Sequence, residues 1–585
     1  MKTYLKIRIL FLYLLSFNFC FTQINFENQG NLYGLDFSTG TTFLGSGVSF
    51  VDYDNDGWDD LTFASGNNQS IRFFKNFTGF FVEQFYNIPT MDYPTKSITW
   101  VDFDNDGDKD LFVTSFNNGN KLLQNDGDFN FLDITTTANL PTENIYSYGA
   151  SWGDIDNDGF LDIFISSFDS NRLIPNLLFK NNRDGTFTNV SESANISSSG
   201  HLSFCSAFID YNKDGWQDIY ISNDRALNTN ILYKNNGDGT FTDVSQESGA
   251  GIAIDAMSVT VGDFNSDGWF DIYVTNTPTL GNYFLKNNGD GTFTNIAEDT
   301  ETQVFGTCWG AVFIDAENDS DLDIYASSAV FGDSPFNSSM FFRNIGNETF
   351  VTSTTNFYGF VDDDKESYSN ATGDVDNDGL LDIIVNNSNN QKVDFWKNNT
   401  STVNNWLKIN LEGTSSNKDG VGSVIEISVN GNTQYSYAVC GEGYLSQSSF
   451  TETLGIGNNL VVDYVKIKWL SGVEDILFNV NANQILNIVE GSTSTTLSSN
   501  LYNNDFTLKV YPNPVQNDIL YLSSDNTSNL FLERIELYDL LGNLIFSSES
   551  NISEIDFSNF KSGTYVLKTN FRNSNKIEHF KVLKY

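Results

Sequence analysis

Cysteine is scarce in this 585-residue chain, with four residues at Cys20, Cys205, Cys308 and Cys440. Three of them remain once a leader is removed. That is not a disulfide framework for an exported protein of this size, so something else must stabilise it. Histidine is scarcer still. His201 and His579 lie far apart in the sequence, which argues against a His-liganded metalloenzyme and leaves little for a His-dependent triad. Proline numbers 8 against 45 glycines, a balance of tight turns over Pro-rich linkers. Positive charge is also short: 31 Lys+Arg face 75 Asp+Glu, for a formal net charge of −44. Such a chain has no general attraction to phosphate backbones or anionic lipid, which excludes nucleic acid and membrane surfaces as partners. No G-x-S-x-G, H-E-x-x-H or P-loop signature is present. Acidity alone would fit disorder, but 39% hydrophobic and 15% aromatic residues are enough to build cores.

The N-terminus carries Lys2, Lys6 and Arg8 around an apolar run from Ile9 to Leu15. This reads as a secretory signal peptide over residues 1–22, cleaved before Gln23 and too short to span a bilayer. No other stretch is apolar enough to cross one, so no membrane insertion is expected.

What the chain has in abundance is repetition. An acidic nonapeptide occurs seven times, starting at Asp52, Asp102, Asp154, Asp210, Asp263, Asp315 and Asp374. A period of about 50 residues fits a four-stranded propeller blade. Each copy lies between runs rich in β-branched and aromatic residues, such as Ile98-Thr99-Trp100-Val101 before and Ile219-Tyr220-Ile221-Ser222 after. A third apolar run leads to hairpin turns such as NNGDGTF at Asn235 and Asn287, where Asn-Gly and Asp-Gly supply positive φ. The seventh copy lacks its fourth strand. Ile24-Asn25-Phe26 is expected to supply it and close a ring with only short edges.

Positions 1, 3, 5 and 9 of the nonapeptide carry oxygen side chains, and position 6 is Gly except at Ser320. The candidate metal ligands are Asp52, Asp54, Asp56 and Asp60, then Asp102, Asp104, Asp106 and Asp110, then Asp154, Asp156, Asp158 and Asp162. They continue with Asp210, Asn212, Asp214 and Asp218, with Asp263, Asn265, Asp267 and Asp271, with Asp315, Glu317, Asp319 and Asp323, and with Asp374, Asp376, Asp378 and Asp382. Ca²⁺ takes six to eight hard oxygens, and alternate residues of a tight loop aim carboxylates at one centre. One such loop reads as a solvated acidic turn; seven in phase point to metal, because carboxylates about 5 Å apart repel without a cation. The loop is not an EF-hand, since its twelfth position holds Phe63, Val113, Ile165 and their equivalents in place of Glu. Asn212 and Asn265 weaken the fourth and fifth sites, and Glu317 with Ser320 makes the sixth irregular. Up to seven structural Ca²⁺ ions are expected.

These seven periods of D-x-D-x-D-G-x-x-D between strands resemble the FG-GAP/VCBS repeats of integrin-α-like N-terminal propellers. The resemblance covers residues 23–400 and implies a seven-bladed β-propeller with Ca²⁺ between the first two strands of each blade. Residues 403–490 resemble the ASPIC/UnbV domain through Leu411, Gly413, Thr414, Ser416, Asn417, Asp419 and Gly422, then Gly443 to Gln447, then Trp469, Ser471 and Gly472. Glu452-Thr453 stand where that family has His-Phe. The alternation there predicts a small β-sandwich, with Tyr444 to Gln447 read as a structural turn and strand ahead of a ligand contact.

A Ser/Thr-rich linker follows at 491–504. In residues 505–585, Tyr511-Pro512-Asn513-Pro514, Leu541-Gly542-Asn543 and Ser562-Gly563-Thr564-Tyr565 before a basic tail resemble the type A C-terminal sorting domain of type IX secretion. That resemblance implies a Bacteroidetes-type bacterium, the type IX machinery as partner, and a secreted or outer-surface destination. The fold class expected is all-β: a seven-bladed propeller and two small β-sandwiches.

No catalytic constellation is evident. The expectation is a monomeric, non-enzymatic binding or adhesion protein, secreted or on the cell surface, with a glycan or another extracellular protein as ligand. Tyr146, Tyr148, Phe331, Phe336, Tyr358 and Tyr368 are candidates for stacking on sugars, with packing as the blander reading. The alternative is an extracellular polysaccharide lyase or glycoside hydrolase on a Ca²⁺-containing propeller. It needs basic residues, Tyr or extra carboxylates facing a central cleft.

Overall fold

The computed structural model describes residues 23–329, 338–352, 357–493, 508–516, 518–524, 532–539, 543–548, 552–571 and 577–584. The expected signal peptide, Phe331, Phe336 and the linker from residue 494 onward lie outside them. Every regular element among the described residues is a β-strand. The chain divides into two units, one running to Ser494 and the other starting at Thr495.

The first unit is built from seven antiparallel four-stranded sheets, one of which takes on a fifth, short strand. The fourth sheet shows the pattern. Ser203–Ile209 leads into the acidic loop, Asp218–Asn223 leaves it, and Ile231–Asn235 turns through a hairpin into Phe241–Asp243. The hairpin register is Asn235↔Phe241, with positive φ at Gly237 and Gly239. The second strands are buried along their whole length because a neighbouring sheet covers each face. Their near-continuous apolar runs follow from that double coverage.

The seventh sheet takes its fourth strand from the start of the described chain. Phe26–Asn28 pairs with Asp394–Asn398 in the register Phe26↔Asn398. The strand opens at Phe26 rather than Ile24. Ile24 instead packs into the core with Val312, Ile314 and Tyr358.

At six of the seven joints, neighbouring sheets are stapled by the asparagine that ends the third strand, and the first and second sheets are joined instead by the Gly47 N–H on the Lys96 carbonyl. Asn181, Asn235, Asn287, Asn344 and Asn398 each donate their amide to a carbonyl of their own acidic loop and to one in the loop a sheet earlier. Asn76 does the same between Asp59 and Val375, which joins the first sheet to the seventh. The succession of sheets therefore closes on itself in a propeller-like ring.

Residues 403–490 form two sheets around a shared core of Leu407, Ile409, Ile425, Ile427, Val465, Ile467 and Trp469. They are not a separate body, because the compact unit runs on to Ser494. Residues 440–449 leave this sandwich and touch the first strands of all seven sheets. Ser446–Gln447 pairs in parallel with Val48 and Ser49. Gln447 exchanges two hydrogen bonds with the Trp100 backbone, at 2.7 and 2.8 Å. Trp152 N donates to the Cys440 carbonyl, Gly443 N to that of Val259, and Ser449 N to that of Thr372. The Tyr444 ring meets Phe204 and Trp309. Only a segment on the axis of the ring reaches every sheet, so these residues plug its centre. Tyr444 to Gln447 are thus structural.

The second unit is a seven-stranded arrangement in which Leu532–Asp539, Gly563–Phe571 and Ile577–Lys584 pair in succession. Leu520, Ile535, Leu537, Leu567 and Val582 form its core.

Candidate metal centres

Each acidic loop is wound around the first aspartate of its nonapeptide. Asp52 accepts the backbone N–H of Asp56 at 3.0 Å and of Gly57 at 2.7 Å, and the other six loops repeat the pair of bonds. The turn needs positive φ at positions 4 and 6. Asn tolerates it at position 4 in five loops, Gly supplies it at position 6, and Ser320 adopts it at 83°. The ninth residue opens the second strand. Asp60 accepts the N–H of Asn76 at 2.7 Å and of Tyr53 at 3.2 Å. Positions 1 and 9 are therefore fixed by backbone before any ion arrives.

Position 3 completes the cluster. Asp52, Asp54 and Asp60 bring carboxylate oxygens within 4.8 Å of one another, as do Asp102, Asp104 and Asp110, Asp154, Asp156 and Asp162, and Asp374, Asp376 and Asp382. Position 5 stands outside these clusters, where Asp56, Asp106, Asp158 and Asp378 accept the N–H of position 7. In the fourth and fifth loops, Asn212 and Asn265 turn their amides onto Asp214 and Asp267. In the sixth loop, Arg343 holds Glu317 and Asp319, while Asp315 and Asp323 are buried.

The electrostatics require compensation. Burial, with neighbouring carboxylates adding to it, pushes Asp52 up to about 7 and Asp60 to about 10. Burial and then the Asp419 carboxylate push Asp102 to about 7, and burial pushes Asp110 to about 9. Without a cation, burial favours the protonated form of these four carboxyls, a form ordinarily lost near pH 4. One oxygen of position 3 is buried without a hydrogen-bond donor in five loops: Asp54 Oδ1, Asp104 Oδ1, Asp156 Oδ1, Glu317 Oε2 and Asp376 Oδ1. Asp110 Oδ2 is orphaned too. An all-carboxylate donor set with orphaned inner oxygens suits a hard divalent cation.

The second oxygen of position 3 has a partner that the sequence reading passed over. Each third strand ends in a paired signature: Lys75-Asn76, Gln124-Asn125, Lys180-Asn181, Lys234-Asn235, Lys286-Asn287, Arg343-Asn344 and Lys397-Asn398. Lys75 and Lys180 reach Asp54 and Asp156, and Gln124 donates to Asp104 Oδ2 at 2.8 Å. The signal was present as a dipeptide ending in Asn, preceded by Lys in five copies, by Gln124 in one and by Arg343 in one.

The loop end of the ring is covered by the sandwich. Asp419 accepts the Asp102 N–H at 2.9 Å and pairs with Lys109. Ser449 Oγ donates to Asp59, Gln217 to the Tyr437 hydroxyl, Ser320 Oγ to the Gly455 carbonyl, and Lys408 to Asn377. Gly159 backs onto Ser415, and Gly268 onto Tyr435. All seven loops are engaged.

Among the described residues, the stacking candidates Tyr146, Tyr148, Tyr358 and Tyr368 do not form a sugar platform. Tyr148, Tyr358 and Tyr368 are core residues, and Tyr146 is half-buried against Phe116. Their neighbours are other rings, such as Trp309 for Tyr368 and Phe341 for Tyr358. Cys205, Cys308 and Cys440 are buried free thiols. His201 is half-buried near Ser197.

Residues 52–113, 102–165 and 210–274 match the family profile of the FG-GAP-like repeat, residues 413–495 that of ASPIC and UnbV, and residues 509–583 that of the secretion system C-terminal sorting domain. Cartilage acidic protein 1 of Xenopus tropicalis is 28% identical over 203 residues, covering 33% of this chain and 30% of that protein. The human protein of that name is 26% identical over 199 residues, covering 33% and 29%. The chain thus spans under a third of the length of these relatives. Two solved structures, PorZ of the Porphyromonas gingivalis type-IX secretion system and the intramolecular trans-sialidase from Ruminococcus gnavus, superpose loosely. PorZ gives a TM-score of 0.28 at 11% identity over 93% of this chain and 82% of its own, and the sialidase 0.31 at 10% over 63% and 96%. At those scores neither carries an argument. The chain joins FG-GAP-like repeats, an ASPIC and UnbV domain and a C-terminal sorting domain, and it is a protein sent by type IX secretion to the cell surface or the extracellular space.

Proposed function

We propose that residues 23–400 are a seven-bladed propeller held together by Ca²⁺ in its acidic loops, and that the protein binds a glycan or another extracellular protein. The observation that carries the metal reading is the repeated orphaned oxygen at Asp54, Asp104 and Asp156, buried inside all-carboxylate clusters. Ca²⁺ would supply charge neutralisation there; the carboxylates of positions 1, 3 and 9 would hold it. Its role is structural, in a fold whose described cysteines form no disulfide.

Two surfaces are already used. The sandwich engages the acidic loops, and residues 440–449 fill the axis, where a lyase or hydrolase would need its cleft. The opposite end is left for a ligand. There the connections between second and third strands expose Leu173, Leu227 and Leu280. This favours binding over catalysis.

A glycan array, with a polysaccharide-turnover assay beside it, tests the reading on the secreted chain in millimolar Ca²⁺ and in chelator. Calcium-dependent binding without new reducing ends or unsaturated products is the expected result. Turnover would replace the binding reading with the enzymatic one. Silence in both, followed by a specific protein captured from the cell surface, would select the protein ligand.

A further inference from the structure

The seventh acidic loop differs from the others in what neutralises it. Lys397 lies within its cluster, with Nζ 3.1 Å from Asp376 Oδ1, 3.4 Å from Asp378 Oδ2 and 3.1 Å from Asp382 Oδ1. A second ammonium enters from the sandwich strand Trp406–Glu412. Lys408 Nζ lies 3.1 Å from Asp374 Oδ2 and 2.6 Å from Asn377 Oδ1. All four carboxylates of this loop therefore lie within 3.4 Å of an ammonium, although Asp376 Oδ1, like the position-3 oxygens of the first three loops, receives no hydrogen bond.

The first three loops provide the contrast. Among the salt bridges of the described residues, Lys75 reaches only Asp54 and Asp56, and Lys180 only Asp156 and Asp158. Positions 1 and 9 of those loops, Asp52, Asp60, Asp154 and Asp162, accept backbone N–H groups alone among the bonds of the described residues. The second loop has Gln124 in the lysine's place, and Lys109 beside it is taken by Asp419. Exposure separates the lysines as well. The side chains of Lys75 and Lys180 are 23% and 34% exposed, whereas those of Lys397 and Lys408 are 4% and 3% exposed. The first pair can swing into solvent to admit an ion. The second pair cannot leave without carrying a buried charge through protein, and a dication entering between them would face two fixed positive charges.

We propose that the seventh loop is closed by Lys397 and Lys408 in place of a divalent ion, and that Lys408 thereby clasps the 403–490 sandwich to the ring. The proposal rests on the reading of the first three loops as Ca²⁺ sites. The seventh loop has the right carboxylates for an ion and the wrong neighbours.

Crystals of the secreted chain grown in Ca²⁺ and exchanged into Tb³⁺ test it by anomalous diffraction. Peaks are expected in the first three loops and none in the seventh. A Lys397→Gln/Lys408→Gln double variant should bind one more Ca²⁺ ion by native mass spectrometry, and Lys75→Gln should bind the same number as the parent. Lys408→Gln alone should speed backbone hydrogen exchange in residues 406–412 while Lys408→Arg restores it. A peak in the seventh loop of the parent protein, or an unchanged ion count in a folded double variant, overturns the proposal and leaves the Ca²⁺ reading standing. Empty maps at every loop overturn both. If the double variant does not fold, the map of the parent protein decides.

Discussion

The side-chain amide of Asn377, in the seventh acidic loop, donates to the carbonyl of Gly57 in the first at 3.0 Å. The same position repeats the contact around the circle, from Asn55 to Gly107, Asn105 to Gly159, Asn157 to Gly215 and Asn318 to Gly379. Lys213 and Ser266 interrupt the run. Lys213 instead lays its ammonium over the Trp269 ring of the next loop, 4.0 Å from the centroid. The loops form a belt in which the conformation of one constrains its neighbour, and positions 4 and 6, which make the belt, flank the carboxylates that would hold metal.

Withdrawal of Ca²⁺ should therefore loosen the belt as a whole. At free Ca²⁺ tenfold above Kd, each occupied site stabilises the fold by about 1.4 kcal/mol. Three filled loops give about 4 kcal/mol, a large part of a typical folding stability of roughly 5–15 kcal/mol. Denaturant unfolding with Ca²⁺ and with chelator measures the difference, and identical midpoints would show that the ions do not hold the ring.

Asn76→Ala should cost about 1–3 kcal/mol, because it strips donors from two buried carbonyls, Asp59 O and Val375 O, at the joint between first and last sheets. Asn125 is the internal control. Its NH₂ donates only to the Lys109 carbonyl, at 3.2 Å, among the bonds of the described residues. Its Oδ1 accepts the N–H of Gly127 and Phe129 much as Asn76 Oδ1 accepts that of Gly79. Asn125→Ala thus loses the turn contacts without a bond across a joint and should cost less. Equal losses in urea unfolding would mean that the bond across the joint contributes nothing.

The repeat was legible because seven phased copies turn weak local signals into one period. Asp52 through Asp382 announced the loops, and Phe26 could be placed by its position relative to the first loop. The Lys-Asn ending of the third strands was equally present, but an isolated lysine at a strand end reads as a solvated flank. Its meaning needs the neighbouring loop in space. The plug was not legible at all. Gln447 is fixed by Trp100, 347 residues away, and nothing within Gly443 to Gln447 distinguishes an axial segment from an ordinary turn. Tyr148 and Tyr368 stand next to loops in sequence, yet they are buried because their strands begin at the crowded centre of the ring.

Gln447→Ala removes both bonds to the Trp100 backbone and the one from Ser49 Oγ at 3.1 Å. A loss of about 1–3 kcal/mol is expected from the buried groups left unpaired. The transition should stay single, since ring and sandwich share one compact unit. Tryptophan fluorescence reports on Trp100 and Trp152 in the ring and on Trp469 in the sandwich, and hydrogen exchange separates the two by peptide. Independent melting of 403–490 would contradict the axial role of residues 440–449.

Glu442 and Glu452 give the fold a pH dependence separable from the acidic loops. Both are half-buried, Glu442 in the axial segment and Glu452 in the sandwich, without an ammonium partner among the salt bridges of the described residues. Glu442 accepts the Val261 N–H at 2.9 Å, and Glu452 accepts the Ser436 hydroxyl. Burial, with the Glu452 charge adding to it, pushes Glu442 up to about 8, and burial pushes Glu452 to about 7. A carboxyl with a raised pKa in the folded state binds a proton there that the unfolded chain has released. Its contribution is thus fully present below about pH 4.5 and is lost as pH rises towards 7 for Glu452 and 8 for Glu442. Each group adds a slope of up to about 1.4 kcal/mol per pH unit inside its window. Glu442→Gln and Glu452→Gln keep a hydrogen-bonding oxygen and remove the charge, so each should flatten the fall in stability between pH 5 and 8. The comparison is made by urea unfolding at fixed saturating Ca²⁺, which holds the loops constant. Variants that lose stability with pH as steeply as the parent would show that these two carboxyls are already ionised in the fold.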